Sequence, residues 1–340
     1  MDIRRDLPDD RVATGTTVAG GHLPVEPGTM SSPPERRRSS ERNPAMRPEP
    51  TVRGYLVAIG GAEDKTSELA ILRHVFSLAP RGNKDVAVLA TATGYPEDVF
   101  PAYERAFDRL GASKVHHLDV RNRSDARGAE NVEIVRRCGT IFFTGGDQLR
   151  LTNVLGGSPL LQAIRARYAE GAVVAGTSAG AAAMSATMIY NGAAADALRK
   201  GAVRMSGGLA FVRGIVIDSH FLERGRFTRL MEVGATNPEY IGIGLGEDAG
   251  VIVHDGHILE AIGSGHVIVV DSRNLQSSNV AEIDDGEPVT VEHVIMHALI
   301  RGCGYDIREH RYLQAHELTG LLERHLEHTG ASRAQRAELL

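Results

Sequence analysis

Two hydrophobic patterns alternate along the chain from Gly54 onward. Short apolar runs rich in β-branched residues are typical of buried strands, and they read YLVAIGG, DVAVLAT, KVHHLDV, TIFFTGG and AVVAG. Amphipathic stretches such as SELAILRHVFSLA and VFPAYERAFDRLG separate them and indicate helices with one buried face. This alternation predicts an α/β protein with a mostly parallel central sheet and helices on both faces. In such sheets ligands bind beyond the carboxyl ends of the strands, so the residues that directly follow each run are the first candidates for a site.

The pattern becomes strand-rich after Ser185. The segments GIVIDSHF, YIGIGLGEDAGVIVHDGHILEAIG and HVIVVDS predict additional C-terminal strands, and one helix is expected around residues 225–235. The run VIVHDGHILEAIG predicts a hairpin that turns at Asp255 and Gly256, a favoured turn pair.

The amino-acid composition of the two ends of the chain differs from that of the middle. Residues 1–50 hold 8 of the 14 prolines and the run SSPPERRRSSERNP, and they predict a disordered N-terminal extension. Residues 51–315 are predicted to form a single domain. Residues 316–340 are charged and helix-prone, and we expect them to form a peripheral helical tail.

Charge and cysteine content exclude several classes of partner. The formal net charge is −5, so no broad basic field is expected to attract nucleic acid or an anionic membrane surface. Cys138 and Cys303 lie far apart and outside any CxxC pair, which predicts neither a disulfide framework nor a thiolate metal site. The first residues lack the pattern of a signal peptide, and no window approaches 18 uncharged apolar residues. A cytoplasmic protein without a membrane span is therefore expected.

One serine stands between glycines where an apolar run ends. Gly176-Thr177-Ser178-Ala179-Gly180 fits G-x-S-x-G in a strand-turn-helix context. At such an elbow the helix dipole and free N–H groups, that of Ala179 first, would stabilise a developing oxyanion. The alternative is that Ser178 only caps the helix, because serine is a favoured N-cap residue. The motif alone does not decide between a nucleophile and a cap.

A candidate base and a candidate acid follow later apolar runs. His220 in GIVIDSHF ends a predicted strand, so we expect it at the same sheet edge as Ser178. Glu247 and Asp248 lie between two apolar runs, where a carboxylate would hold the histidine tautomer and stabilise the imidazolium. A hairpin loop with exposed acids is the alternative for this pair. The order Ser, His, acid excludes the α/β-hydrolases, which run Ser, acid, His.

Two further groups could complete a site. Gly145 and Gly146 follow the run TIFF, and glycines there let backbone N–H groups approach an oxyanion closely. Arg224, Arg226 and Arg229 follow the candidate base, and we expect them to recognise carboxylates of a substrate. A solvated helix face is the alternative for these arginines, because residues three apart share one face. The segment AIGGAED lacks the spacing G-x-G-x-x-G, which argues against a nucleotide-binding site.

Five ordered motifs resemble the cyanophycinase branch of the serine peptidases, whose relatives include the aspartyl dipeptidases. They are AIGGAED, FFTGGDQLRL, GTSAGAAAMS, DSHFLERGRFTRL and GIGLGEDAGVIV, and the resemblance covers most of residues 54 to about 310. It implies a fold similar to class I glutamine amidotransferases, a flavodoxin-like three-layer sandwich with serine in place of their nucleophilic cysteine. It also implies that the domain over 51–315 is catalytic, that the protein forms a homodimer, and that no metal or organic cofactor is needed.

The resemblance implies a substrate and a role for individual residues. The family degrades cyanophycin, a polymer with an aspartate backbone and arginine joined to each β-carboxyl, and releases the β-Asp-Arg dipeptide. Its nucleophile, base and acid fall on Ser178, His220 and Glu247. Its substrate-contacting positions fall on Gln148, Asp218, Arg224, Arg226 and Arg229. Ser219 stands where the family often has glutamine, which removes an amide that could contact substrate.

Two rival functions remain open at this point. One is an aspartyl or isoaspartyl dipeptidase that acts on short N-terminal Asp peptides. The other is a non-catalytic binding module that keeps the amidotransferase-like scaffold. The three arginines favour the polymer-degrading enzyme, and the presence of all three triad residues argues against the module.

Overall fold

The computed structural model describes residues 53–328, and its strands and helices are numbered in chain order. The disordered extension expected over residues 1–50 and the end of the expected tail, residues 329–340, lie outside the described residues. The division of the chain at residues 50 and 315 therefore stays a prediction.

A nine-stranded sheet organises the structure. Five strands lie parallel in the order β1-β5-β4-β2-β3, and they coincide with the apolar runs of the sequence. They are β1 (Leu56–Ile59), β2 (Asp85–Leu89), β3 (Lys114–Leu118), β4 (Thr140–Phe143) and β5 (Val173–Thr177). Ile59 pairs with Thr177 and Phe143 with Gly176, so the carboxyl ends of these strands meet at one edge.

Four antiparallel strands extend this sheet beyond β1. They follow in the order β10 (Ala249–His254), β11 (Ile258–Gly263), β16 (Gly304–Asp306) and β17 (Arg311–Leu313). The predicted hairpin is confirmed, because β10 pairs with β11 and the chain turns at Asp255 and Gly256, whose φ angles are 53° and 71°. The expected α/β fold with additional C-terminal strands is confirmed.

A second sheet of four strands holds the remaining long apolar runs. Its order is β15 (Ile295–Leu299), β12 (Val267–Asp271), β9 (Ile241–Leu245) and β8 (Ile215–Ser219), with β8 and β9 parallel. Two short ladders pair β6 (Thr187–Asn191) with β7 (Arg204–Gly207) and β13 (Ser277–Ser278) with β14 (Val291–Glu292).

Helices pack on both faces of the large sheet, on the second sheet and at the edge of the large sheet. They are α1 (Ala70–Ser77), α2 (Pro96–Arg109), α3 (Ala129–Arg137), α4 (Gln148–Leu155), α5 (Pro159–Glu170), α6 (Ala179–Ala182), α7 (Phe227–Thr236) and α8 (Ala315–His328). Side chains alternate along a strand, so Val57 and Ile59 pack against α1 and α2. Leu56 and Ala58 pack on the opposite face with α3, α4, α5 and the second sheet, which completes the three layers. Within residues 53–328 no helix combines the length and apolar character needed to cross a membrane.

The first part of the expected tail is helix α8. Leu318 and Leu322, which are 2% and 8% exposed, pack with Ile258 of β11 and Leu313 of β17. The helix is therefore attached to the edge of the large sheet through an apolar face.

Candidate functional site

Ser178 lies at a tight elbow between β5 and α6. Its φ of 52° and ψ of −109° form a strained conformation for a residue that is not glycine. The flanking glycines are required by close packing. A Cβ on Gly176 would lie 2.8 Å from the Gly180 carbonyl carbon, and one on Gly180 would lie 2.6 Å from the Phe143 oxygen. The Ser178 side chain makes no capping hydrogen bond to the helix, so it is available to other partners.

The structure brings together the three residues predicted as nucleophile, base and acid. Nε2 of His220 lies 3.1 Å from Oγ of Ser178, and Nδ1 lies 2.8 Å from Oε1 of Glu247. Because a carboxylate only accepts, Nδ1 carries the ring proton and Nε2 is left to accept the serine hydroxyl. Asp248 instead accepts a 2.5 Å hydrogen bond from Oγ of Ser264. Of the two candidate acids, only Glu247 contacts the imidazole.

These residues come from two sheets, and the expectation that they share one sheet edge is wrong. Ser178 follows β5 of the large sheet, whereas His220 follows β8 of the second sheet. Glu247 lies where the chain crosses from β9 to β10, which belong to different sheets, so the hairpin alternative for this segment is also wrong. The physical reason is that β8 pairs in parallel with β9 rather than with any strand of the large sheet.

The segment after β1 connects the three loops. Successive carbonyl oxygens of residues 59–61 accept main-chain hydrogen bonds of 2.9, 2.9 and 3.0 Å from Ser178, His220 and Asp248. Gly61 has a φ of +118° and lies against the imidazole, because a Cβ there would be 2.3 Å from Cε1 of His220. The sequence analysis assigned no role in the site to this segment, and the signal for its role was the glycine pair in AIGGAED.

The backbone of Gly145 lies beside the Ser178 side chain, and Gly146 and Ala179 are the chain neighbours of these two residues. A Cβ on Gly145 would lie 3.4 Å from the Cβ and 4.0 Å from Oγ of Ser178, so the Gly145 backbone packs directly beside it. Gly146 has a φ of +142°, and Ala179 is the first residue of α6, where no intrahelical partner exists for its N–H. In the described part of the chain, the N–H groups of these three residues make no main-chain hydrogen bond. They are available as donors to a ligand.

A pocket of about 590 Å³ opens onto Ser178 and His220. Gln148, Arg224 and Arg226 line it, as does Ser219. The Gln148 amide nitrogen donates to the Ile189 oxygen at 2.8 Å, which leaves the amide oxygen for a ligand. Three of the five predicted substrate-contacting residues are therefore positioned to reach a bound molecule.

Asp218 and Arg229 lie buried outside the lining of this pocket, and their predicted contact with substrate stays a prediction. They are 3% and 5% exposed. The Asp218 carboxylate accepts a 2.9 Å hydrogen bond from Arg226, and Nε of Arg229 lies 3.0 Å from its second oxygen, an ion-pair contact without hydrogen-bond alignment. Burial raises the pKa of Asp218, and the two guanidinium groups oppose that rise. Asp218 thus holds Arg226 at the pocket wall.

Replacing Arg229 by methionine should lower the free energy of unfolding by about 3 kcal/mol, because Asp218 would lose one of its two buried cationic partners. Chemical denaturation measures this change. The matched control is Arg224→Met, since Arg224 is exposed and its replacement should change stability by less than about 0.5 kcal/mol. Equal stabilities of the two variants would contradict a structural role for the buried pair.

One acidic residue of the pocket was not predicted. Glu63 follows the glycine pair after β1 and is 2% exposed, yet it lines the same pocket as Ser178. Lys65, two residues later, lines the pocket as well. The only signal in the sequence was the position of both residues just beyond a strand end, which does not distinguish a ligand-binding side chain from a solvated one.

Comparison with known proteins agrees with this geometry. Residues 56–261 match the family described as peptidase family S51. A protein named cyanophycinase from Nostoc sp. is 34% identical over 271 residues, which cover 79% of this chain and 91% of that protein. A second, from Synechococcus elongatus, is 32% identical over 306 residues and covers 87% of this chain and 94% of that protein.

A solved structure shares the fold. The crystal structure of a peptidase from an acI-B1 Actinobacterium superimposes with a TM-score of 0.57 at 21% identity, covering 76% of this chain and 98% of that one. The family match spans more than half of the chain, and the curated relatives exceed 30% identity over most of their length. The protein therefore belongs to peptidase family S51 and is a serine-type peptidase.

Proposed function

We propose that the protein is a cyanophycinase, a serine exopeptidase that hydrolyses the aspartate-backbone amide bonds of cyanophycin and releases β-Asp-Arg dipeptides. The observation that carries the proposal is the continuous chain of contacts from Ser178 through His220 to Glu247 at a pocket lined by cationic side chains. Relatives named cyanophycinase support the choice of substrate.

The geometry supports an acyl-enzyme mechanism. His220 Nε2 takes the proton of the Ser178 hydroxyl while Oγ bonds to the carbonyl carbon of the scissile amide. The oxyanion that forms accepts hydrogen bonds from the N–H of Ala179 and of Gly145 or Gly146. The carbon–nitrogen bond then breaks, and the imidazolium gives its proton to the departing amine. His220 then takes a proton from water as the water oxygen bonds to the carbonyl carbon of the resulting ester, and it gives that proton to Oγ of Ser178 as the ester bond breaks.

Glu247 acts on the histidine and not on the substrate. Its carboxylate accepts the Nδ1 proton at 2.8 Å, which fixes the tautomer that leaves Nε2 basic. The same negative charge stabilises the imidazolium that exists while the proton is in transit.

The pocket cations fit the free carboxylates of the polymer. Every β-carboxyl of the aspartate backbone is joined to arginine, so the carboxylates left free are the arginine α-carboxylates and the one at the chain end. Arg224 and Arg226 line the pocket and present guanidinium groups, which bind carboxylates with charge-assisted hydrogen bonds. Asp218 orients Arg226 for this contact.

The direct test is to incubate the purified full chain with cyanophycin and identify the products by chromatography and mass spectrometry. The proposal expects β-Asp-Arg as the small product. Faster cleavage of Asp-X dipeptides than of the polymer would instead support the aspartyl dipeptidase. Failure to cleave either substrate would support the binding module and contradict the proposal.

Arg224→Met should raise KM for the polymer by about tenfold and leave kcat nearly unchanged, because the exposed guanidinium binds substrate and transition state equally. Steady-state kinetics with the wild type as reference measures the effect. A fall in kcat at unchanged KM would assign Arg224 to the chemical step and contradict a role in binding.

Homodimerisation and a cytoplasmic location remain predictions. The first follows from the family resemblance and the second from the sequence pattern. Light scattering coupled to gel filtration of the purified chain tests the first, with a mass of twice 36.5 kDa expected.

A further inference from the structure

The buried carboxylate of Glu63 contacts the side chains of three residues near the nucleophile. Glu63 accepts hydrogen bonds of 2.6 Å from the hydroxyls of Tyr103 and Thr177, and Thr177 directly precedes Ser178. Burial, together with this carboxylate, raises the pKa of Tyr103 well above its ordinary value, so the phenol remains a donor. Nζ of Lys65 completes the set at 3.1 Å from Oε1 of Glu63. Glu63 is therefore satisfied within the protein and leaves little capacity to bind a ligand.

Contacts with Glu63 hold the ammonium group of Lys65 in place and leave one of its hydrogen-bond donors open. Nζ donates to the Glu63 main-chain oxygen at 2.9 Å, contacts the Glu63 carboxylate, and lies 5.3 Å from the centre of the Tyr103 ring. An ammonium has three N–H groups, and two of them are directed at Glu63. Within the described residues the third has no acceptor. The Lys65 side chain is 26% exposed and lines the pocket, so the open donor is accessible to a bound molecule.

The balance of charge around the pocket favours an anion. Among residues 53–328, its cationic lining residues are Lys65, Arg224 and Arg226, and Glu63 is the acidic one. Asp218 compensates Arg226 from behind the wall. Glu63 is paired with Lys65 and Asp218 with Arg226, so Arg224 carries the net positive charge of the lining. Lys65 adds an open N–H donor from the β1–α1 connection, separately from the arginines that follow β8.

We propose that Lys65 is a substrate-binding residue that donates its open N–H to a free carboxylate of the β-Asp-Arg unit, with Glu63 and Tyr103 as the residues that position it. The identity of the substrate in this proposal rests on the proposed peptidase function. The β1–α1 connection then supplies a second carboxylate-binding point, which orients the substrate across the pocket in a way that the arginines alone do not.

The test measures binding in a Ser178→Ala background, which cannot turn substrate over. The probes are the β-Asp-Arg dipeptide and two derivatives in which one or the other carboxylate is converted to an amide, with affinities from calorimetry. Lys65→Met should weaken dipeptide binding about 10- to 100-fold, and Lys65→Arg, which keeps the charge, should weaken it less. For the derivative that lacks the contacted carboxylate, Lys65→Met should change affinity less than about twofold. Equal weakening for all three probes, or no weakening, overturns the proposal.

A double variant distinguishes a loss of binding from a loss of folding. Removing Lys65 alone leaves the buried Glu63 charge with hydroxyl partners only, so Glu63→Gln/Lys65→Met removes both charges and should show the same selective loss of binding. Thermal melting confirms that each variant is folded. Absence of selective loss in the folded double variant also overturns the proposal.

Measuring cyanophycin cleavage by the wild type shows whether a failed test concerns the role of Lys65 or the proposed function. If the wild type does not cleave cyanophycin while the Lys65 variants show the selective loss of binding, the proposed function fails and the assignment of Lys65 stands. If the wild type cleaves the polymer and the Lys65 variants bind all probes like the Ser178→Ala parent, only the assignment of Lys65 fails.

Discussion

Ser178→Ala should lower the rate of cyanophycin hydrolysis by at least about 10⁴-fold, because the acyl-enzyme cannot form without Oγ. The hydroxyl lies 3.1 Å from the imidazole that activates it, and no other serine of the described chain contacts that ring. A serine-directed phosphonate should label the wild type and fail to label the variant. Measurement of product release under single-turnover conditions sets the size of the effect.

The same variant should keep its fold. The Ser178 side chain makes no capping hydrogen bond, so the free energy of unfolding should stay within about 0.5 kcal/mol of the wild-type value. Ser185→Ala is the matched control, because Ser185 is fully buried and does not line the pocket, and its hydroxyl has no hydrogen-bond partner in the part of the chain that the structure describes. Ser185→Ala should hydrolyse the polymer at the wild-type rate. Retention of more than about 1% of that rate by Ser178→Ala would remove Ser178 from the mechanism.

Gly61→Ala should lower kcat by at least about 100-fold even in protein that remains folded. A Cβ at this position would lie 2.3 Å from Cε1 and 2.5 Å from Nε2 of His220, and contacts that short force the ring to move. Displacement of the base by about 1 Å from Ser178 is enough to cost about two orders of magnitude in rate. Polymer kinetics together with phosphonate labelling would measure this loss.

Gly82→Ala separates the effect on the imidazole from the effect on the backbone. Gly82 also has a positive φ, of +79°, but a Cβ there would meet nothing within 4 Å. The Gly82→Ala variant should lose about 1 kcal/mol in free energy of unfolding and keep full activity, because its only penalty is the strain of a positive φ at alanine. Full activity in folded Gly61→Ala would show that the close approach of Gly61 to His220 does not constrain catalysis.

The elements around the nucleophile could be predicted from local pattern. The run before Ser178 is apolar and short, its neighbours are glycines, and the structure shows β5, the elbow and α6 in that order. The hairpin at Asp255 and Gly256 was equally local, because the turn chemistry belongs to those two residues alone. Such features depend on residues close in sequence, so one sequence is enough to find them.

The roles of the charged residues could not be assigned in this way. Arg229 lies three residues after Arg226 and carries the same guanidinium group. Arg229 is nevertheless buried against Asp218, whereas Arg226 lines the pocket. Whether an arginine faces solvent, a ligand or a buried carboxylate depends on what packs over it, and that surface comes from distant parts of the chain. Glu63 shows the same limit, because its partners Tyr103 and Thr177 lie 40 and 114 residues away.

The sequence by itself determined the α/β class, the strands that end at the site, the serine elbow and a short set of candidate partners, His220 with Glu247 or Asp248. Only the tertiary structure decided that these partners come from two sheets joined through Gly60 and Gly61, and which cations face the pocket. The physical reason is that periodicity and turn chemistry act over a few residues, whereas strand pairing, burial and ion pairing are decided by long-range packing. A strand-like run is apolar in either sheet, so its pattern does not reveal the sheet in which it pairs.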